Sequence, residues 1–148
     1  MQQCMLGNLA VSEIGYGTMR FASTYGPAPD RAVAIGIIRG AHDLGVTLFD
    51  TAEAYGPWTN EELVGEALRP IRNKVVIATK FGFDIDPETG ANRGVSSRTG
   101  HIRGHVERSL KRLCIETVDL IYQHRIDPAV PIEDVAGVVR DLISEGQG

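Results

Sequence analysis

Cysteine is scarce: Cys4 and Cys114 are the only two in 148 residues, too few for a disulfide framework and without metal-ligand spacing. Such thiols suit a reducing compartment, so a cytoplasmic setting is expected. Long apolar runs are missing as well, since no stretch approaches the roughly 18 consecutive apolar residues that read as a membrane span. The opening Met1-Gln2-Gln3-Cys4-Met5 has neither a basic n-region nor an apolar h-region, which argues against a secretory signal. Excess positive charge is absent. Fifteen Lys plus Arg against nineteen Asp plus Glu leave a formal charge of −4, a poor basis for holding nucleic acid by bulk electrostatics. Aromatics amount to 6%, and no segment is repetitive or low in complexity. At 43% hydrophobic and 23% charged, what remains is an ordinary globular chain with enough apolar residues for one core, an enzyme or a binding module.

Strand-like and helix-like patterns alternate along it. Leu9 to Gly17 reads as a strand closing in a Gly-rich turn, and Leu6-Gly7-Asn8-Leu9 reads as a short hairpin with the chain's start. Asp30 is placed to cap a helix with Val33, Ile37, Ala41 and Leu44 at helical spacing, ended by Gly45. Val46 to Phe49, closed by Asp50, is a short buried strand. Thr59 or Asn60 caps a second helix carrying Leu63, Val64, Ala67 and Leu68 and stopped at Pro70. Lys74 to Thr79 (KVVIAT) is the clearest strand, ending at Lys80. A long polar loop is expected from Gly82 to Gly100, a length that in compact domains usually serves function. Ile102, Val106, Leu110 and Leu113 mark a third helix, Thr117 to Tyr122 a further strand, and Pro131 opens a fourth helix with Val135, Val138, Val139 and Leu142. Four strand–helix units with short apolar strands call for a parallel α/β sheet covered by helices. Periodicity leaves two architectures open, an open doubly wound sheet or part of a closed (β/α) barrel.

In both, chemistry belongs at the carboxyl ends of the strands. Those ends carry Gly17-Thr18-Met19-Arg20, Asp50 with Tyr55 just beyond, Lys80, and His124-Arg125. Each has a plain structural explanation: a capping carboxylate, a half-buried ring, a solvated strand end, a hydrogen-bonded rim histidine. Their conjunction on adjacent strand ends favours a site. A phenol is a sluggish proton donor at neutral pH. An ammonium about 4 Å away interacts by roughly 4 kcal/mol at an effective dielectric near 20, enough to lower a phenol by up to about three pKa units before desolvation opposes it. A carboxylate keeps that ammonium charged and fixed. An Asp–Lys–Tyr relay can therefore protonate an oxygen that becomes an alkoxide, while His124 orients and polarises the carbonyl. No side chain delivers hydride, so a nicotinamide cofactor is implied.

Other signals are weaker. Gly15-Tyr16-Gly17 begins like a dinucleotide fingerprint, but Arg20 occupies the third glycine position. His101 and His105 have metal-ligand spacing with no third ligand in sight, which favours a solvated helix face and no metal. Arg98, Arg103, Arg108, Lys111 and Arg112 make the third helix basic, as expected of an outer, wet face.

The run Phe49-Asp50-Thr51-Ala52-Glu53-Ala54-Tyr55-Gly56-Pro57, continued by Asn60-Glu61-Glu62-Leu63-Val64-Gly65-Glu66-Ala67-Leu68, closely resembles the signature of the aldo-keto reductases. So do Ile77-Ala78-Thr79-Lys80, Asp119 to Pro128 (DLIYQHRIDP) and the opening Leu6-Gly7-Asn8 with Val11-Ser12-Glu13-Ile14-Gly15. The Gln-His-Arg-Ile-Asp-Pro form is similar to the bacterial and plant branch. The resemblance spans essentially the whole chain and implies the N-terminal half, (β/α)4, of a (β/α)8 TIM barrel preceded by a short hairpin. It also implies NADPH-dependent reduction of aldehydes and ketones. Tyr55 would be the proton donor, with Lys80 and Asp50 as its partners and His124 as the carbonyl-orienting residue. Gly17, Thr18, Met19 and Asp50 would line the cofactor site, and Trp58 and His124 the substrate pocket.

Four positions depart from the family pattern: Arg20 in place of a glycine, where it is expected to crowd the pocket; Thr99-Gly100 in place of Pro-Glu at the third helix; and Cys114 in place of glycine at that helix's end. A closed barrel needs about 250 residues, so residues 1–148 read as one incomplete barrel domain lacking strands five to eight. Unpaired sheet edges then lead to self-association or to pairing with a complementary half-barrel. The reading set against the reductase is a non-catalytic fragment or half-barrel interaction module.

Overall fold

The computed structural model describes residues 1–22 and 26–146. An antiparallel hairpin opens the chain, β1 (Gln3–Leu6) pairing with β2 (Leu9–Ser12) around Gly7. The single strand expected from Leu9 to Gly17 is thus two. β2 ends at Ser12, whose main chain and hydroxyl exchange hydrogen bonds with Thr47, and the chain then bends into a two-residue strand β3 (Tyr16–Gly17). The central sheet is parallel, in the order β3, β4 (Leu48–Asp50), β5 (Val76–Phe81) and β8 (Leu120–Gln123). Helices α1 (Arg31–Asp43), α2 (Thr59–Leu68), α3 (Thr99–Leu113) and α4 (Ile132–Ser144) connect or follow these strands. The result is an open four-stranded parallel sheet with its helices, a half of a (β/α) barrel rather than a closed one.

Register fixes what each face of the sheet carries. Phe49 pairs with Ile77, and Asp50 with Ala78; Ala78 and Lys80 pair in turn with Leu120 and Tyr122. Side chains alternate along a strand, so Phe49, Ile77, Thr79 and Phe81 turn one way while Asp50, Ala78 and Lys80 turn the other. The first set builds the core. Phe49 and Ile77 pack with Ala34, Ile38, Val64, Leu68 and Leu113, and Phe81 packs with Ile102, Val106, Val135, Val138 and Leu142. The second set is left for chemistry.

The helices differ from expectation in instructive ways. Asp30 caps α1 as expected, accepting from the Ala32 N–H at 2.8 Å, and Gly45 follows its end at φ 98°. Its buried stripe, however, is Ala34, Ile38 and Ala41, while Val33 and Ile37 stay 53% and 42% exposed. Two stripes one position apart both satisfy helical periodicity, and the one with two alanines lets the helix axis come closer to the sheet. α2 starts at Thr59 with Trp58 at the capping position, so neither Thr59 nor Asn60 caps it; the Asn60 side chain is committed elsewhere. Gly65 lets α2 meet α3, since a Cβ there would lie 2.5 Å from the Leu113 carbonyl oxygen. As Thr99-Gly100 foreshadowed, α3 has no side-chain cap, and Cys114 closes it in the left-handed region at φ 55°.

The long loop expected from Gly82 to Gly100 is largely a second hairpin, β6 (Phe83–Ile85) against β7 (Asn92–Val95). Asp86 accepts from the Glu88 and Thr89 N–H groups and pairs with Arg93, closing its turn. α3 is not simply a wet basic face either. Arg103 reaches outward to Glu145 at 2.7 Å, but Arg112 turns inward to the fully buried Glu61. The exposed Arg20 guanidinium donates to the Pro27 carbonyl at 3.3 Å.

Candidate active site

The inner face of the sheet delivers Lys80 and Asp50 side by side. β4 and β5 pair Asp50 with Ala78, one pleat from Lys80, so the long lysine chain reaches back across the strand to the carboxylate. Lys80 Nζ donates to Asp50 Oδ1 at 2.5 Å, to the Thr51 carbonyl at 2.7 Å and to the Tyr55 hydroxyl at 3.1 Å. An ammonium has three N–H donors, and all three are accounted for. Its side chain is 15% exposed, against 34% for Asp50, so the pair is drier than a surface ion pair but open on the carboxylate side. Tyr55 arrives from the turn after β4, held by its N–H on the Ala52 carbonyl at 3.1 Å. That turn needs Gly56: its φ is +86°, and a Cβ would meet the Thr59 hydroxyl at 2.3 Å. Because the Tyr55 oxygen accepts from Lys80, its own proton is free to point at a ligand.

His124 follows β8, its N–H donating to the Phe81 carbonyl at 2.8 Å. Its ring stands edge-on to Tyr55, with centroids 5.8 Å apart, and to Phe83 at 4.9 Å. Nδ1 is buried with no hydrogen-bond partner among the described residues. Burial, then the positive charges of Lys80 and Arg125, hold the His124 imidazole below the ordinary histidine value, with Asp50 opposing. The ring beside the phenol is therefore neutral at neutral pH. Sequence reading did not single out Phe83, because β6 was expected to be loop.

Beneath these groups lies a polar layer that sequence reading also missed. Asn60 Nδ2 donates to the Thr18 carbonyl at 2.9 Å, while its Oδ1 accepts from the hydroxyls of Thr18 at 2.6 Å and Thr51 at 2.8 Å. The Thr18 hydroxyl and N–H each also lie 2.9 Å from the Asp50 carbonyl. Thr18 is thus fully buried with its polar atoms engaged inside the protein, supporting the strand end. Next to it, Glu61 accepts the Thr79 hydroxyl on Oε1 and Arg112 Nε on Oε2, both at 2.6 Å. The only hint in the sequence was two polar residues opening a helix, a pattern that normally signals capping.

His101 and His105 do not form a solvated face. Their rings meet at 4.4 Å, and His105 Nδ1 lies 2.5 Å from Glu53 Oε1, with both of those side chains almost wholly buried. Burial pushes the Glu53 carboxyl up, opposed by its contact with His105. With Asp84 and Arg108, these residues and Trp58 line a cavity of about 430 Å³ between α2, α3 and the β6–β7 hairpin. Trp58 itself has φ 68°, a strained value for a bulky residue. Among the described residues no group of three or more His, Cys, Asp or Glu is arranged to hold a metal ion, and no helix is long and apolar enough to cross a membrane.

The family model for the aldo/keto reductases matches residues 13–147. The chain belongs to the aldo/keto reductase family. It is 40% identical over 143 residues to a protein of Glycine max named "Probable aldo-keto reductase 1", an alignment covering 93% of this chain and 39% of that protein. Its fold is similar to the holo form of aldo-keto reductase AKR11C1 from Bacillus halodurans, with a TM-score of 0.88 and 30% identity over 99% of this chain and 47% of that one. It is also similar to the glycerol dehydrogenase AKR11B4 from Gluconobacter oxydans, with a TM-score of 0.83 and 34% identity over 95% and 43%. The chain therefore spans less than half the length of these relatives, and its four strand–helix units match the corresponding half of the family's barrel.

Proposed function

We propose that this chain carries the proton-transfer half of an NADPH-dependent carbonyl reductase site, acting on small aldehydes or ketones. The observation that carries the reading is the Lys80 ammonium held between the Asp50 carboxylate, the Thr51 carbonyl and the Tyr55 hydroxyl. Tyr55 gives its proton to the substrate oxygen as that oxygen becomes an alkoxide. The phenolate left behind accepts a charge-assisted hydrogen bond from Lys80 that is stronger than the bond to the neutral phenol, so the interaction grows toward the transition state. Asp50 keeps the ammonium charged and aimed. Neutral His124 donates a hydrogen bond that orients the carbonyl without competing with Tyr55 as acid.

A nicotinamide cofactor, when bound, supplies the hydride that goes to the carbonyl carbon. The residues present fit its nicotinamide end. Gly17 is exposed beside Asp50 at the carboxyl end of β3, with open space where a side chain would stand. In this reading Gly17, Met19 and Asp50 face the cofactor, Thr18 supports them from below, and Trp58 walls the substrate side. A holo form among the similar structures supports a cofactor in this fold. We place residues 1–148 as one part of a barrel domain, whose unpaired sheet edges support self-association or pairing with a complementary half-barrel. A reducing, cytoplasmic setting keeps the exposed, unpaired Cys4 and Cys114 as thiols.

NADPH titration followed through Trp58 fluorescence, with turnover of an aldehyde panel on the same preparation, tests the reading. Saturable binding is expected, with Tyr55→Phe binding NADPH equally but losing turnover by about 10²-fold or more. No NADPH binding by a folded chain, or full turnover in Tyr55→Phe, overturns it.

A further inference from the structure

The three atoms that hold Lys80 belong to one short stretch of chain, Asp50 to Tyr55, and one residue, Asn60, bonds that stretch by its side chain at Thr51 and by its main chain at Tyr55. We propose that Asn60 is a positioning residue that fixes the Asp50–Thr51–Tyr55 backbone and thereby aims Lys80 at the Tyr55 hydroxyl. Asn60 is 1% exposed and reaches each part of the stretch. Its Oδ1 accepts the Thr51 hydroxyl at 2.8 Å, and the Thr51 carbonyl is a Lys80 acceptor. Its Nδ2 and Oδ1 clamp Thr18, whose backbone N–H in turn donates to the Asp50 carbonyl. Its backbone N–H lies 3.3 Å from the Tyr55 carbonyl. No other residue type of this size does the same. Asparagine offers an acceptor oxygen and donor hydrogens together, whereas an ionised aspartate accepts only and sets a carboxylate oxygen against the Thr18 carbonyl in place of a donor. Aspartate would also set a second negative charge beside Asp50, competing for the ammonium. An apolar residue would strand the buried Thr51 hydroxyl and leave Thr18 tied only to the Asp50 carbonyl and the Phe21 N–H.

The catalytic meaning of this placement rests on the reductase reading, but the placement itself is measurable without turnover. The side-chain ¹⁵N–¹H spectrum of lysine ammonium groups reports it, since the other two lysines, Lys74 and Lys111, are both exposed. In the full chain, Lys80 is expected to give a resolved ammonium signal exchanging at least about tenfold more slowly than those two, the factor that roughly one hydrogen bond confers. Asn60→Asp and Thr51→Val are expected to bring Lys80 exchange to within about threefold of Lys74 and Lys111, whereas Thr51→Ser, which keeps the hydroxyl, retains slow exchange. Thr51→Val removes one hydroxyl at constant shape, so it decides the matter where Asn60→Asp loses its far-UV spectrum.

A Lys80 signal already as fast as the exposed lysines in the unmodified chain overturns the proposal. So does a lowered Tm in both variants with Lys80 exchange unchanged, which is what a purely structural role gives. Where turnover is present, kcat is expected to fall with KM for the carbonyl unchanged, and an equal fall in Tyr55→Phe separates failure of the aim from failure of the reductase reading.

Discussion

Arg112→Leu tests whether the layer under the site is a buried brace or a surface ion pair. Glu61 is fully buried, and its two oxygens have one donor each, the Thr79 hydroxyl and Arg112 Nε, both at 2.6 Å. An exposed pair would lose at most about 1 kcal/mol on truncation. Stranding a buried carboxylate costs about 3–5 kcal/mol. Burial of Glu61 places this pair in the second class, and the 13% exposure of the Arg112 side chain admits water that moderates the loss toward its lower end. The expected cost is about 3 kcal/mol, which at roughly 3 °C per kcal/mol lowers Tm by about 10 °C. Both variants deprive the Ser109 hydroxyl of Arg112 Nη2; removing the charge as well, in Glu61→Leu with Arg112→Leu, further leaves the Thr79 hydroxyl short of a partner, at about 1–3 kcal/mol. The double variant should therefore be no less stable than Arg112→Leu alone, a sign opposite to simple additivity. Urea unfolding of the four proteins, followed by circular dichroism, closes the cycle. A loss under about 1 kcal/mol for Arg112→Leu, or a double variant weaker than both singles, refutes the reasoning.

Three further outcomes are expected. Cys114→Gly relieves a left-handed backbone at φ 55° and should raise stability by about 0.5–1 kcal/mol, seen as a higher urea midpoint with an unchanged slope; a fall in midpoint would show that the thiol contributes packing. Gly65→Ala puts a methyl 2.5 Å from the Leu113 carbonyl oxygen, forcing α2 and α3 apart at a cost of about 1–3 kcal/mol, and a thermal melt within 1 °C of the parent would contradict that. His124 is held below the ordinary histidine value by burial first and by Lys80 and Arg125 second. The folded state therefore binds fewer protons than the unfolded one as pH falls through about 6.5, so its contribution to stability is complete above that pH and is lost below it. An imidazole ¹³C titration, assigned with His124→Asn, should find the ring neutral at pH 6.5, and a midpoint at or above 6.5 would count against the burial argument.

What was legible in the sequence was what rests on short-range pattern. The strand cores around Phe49, Ile77 and Ile121, the Asp30 cap and the α3 and α4 stripes all follow from alternation or helical spacing, and the structure has them. α1 shows the limit. Val33-Ile37 and Ala34-Ile38-Ala41 are both helical stripes, and only the closeness of the sheet, a tertiary fact, chooses between them. The β6–β7 hairpin was unreadable for a related reason. Its strands carry Asp84, Asn92 and Arg93, poor strand formers, and they are held by the Asp86 turn and the Arg93 ion pair rather than by an apolar face.

The site divides along the same line. Asp50, Tyr55 and Lys80 could be named because strand ends locate chemistry in any parallel α/β fold, and the structure brings those three within hydrogen-bond reach. Asn60, Thr51 and Glu61 could not, because their partners lie 9 to 51 residues away along the chain and on different elements. A polar pair at a helix start reads locally as capping, and only the assembled sheet shows that Asn60 faces β3 and β4 while Glu61 faces β5 and α3. This asymmetry bears on how the site tolerates change. Lys80 has no slack, since its three donors meet three acceptors on one short stretch of chain, and any motion of that stretch is felt at the phenol. Substitutions in the polar layer under the strand ends should therefore disturb the aim of Lys80 more than equal volume changes in the apolar core around Phe81, whose neighbours can repack without moving an acceptor.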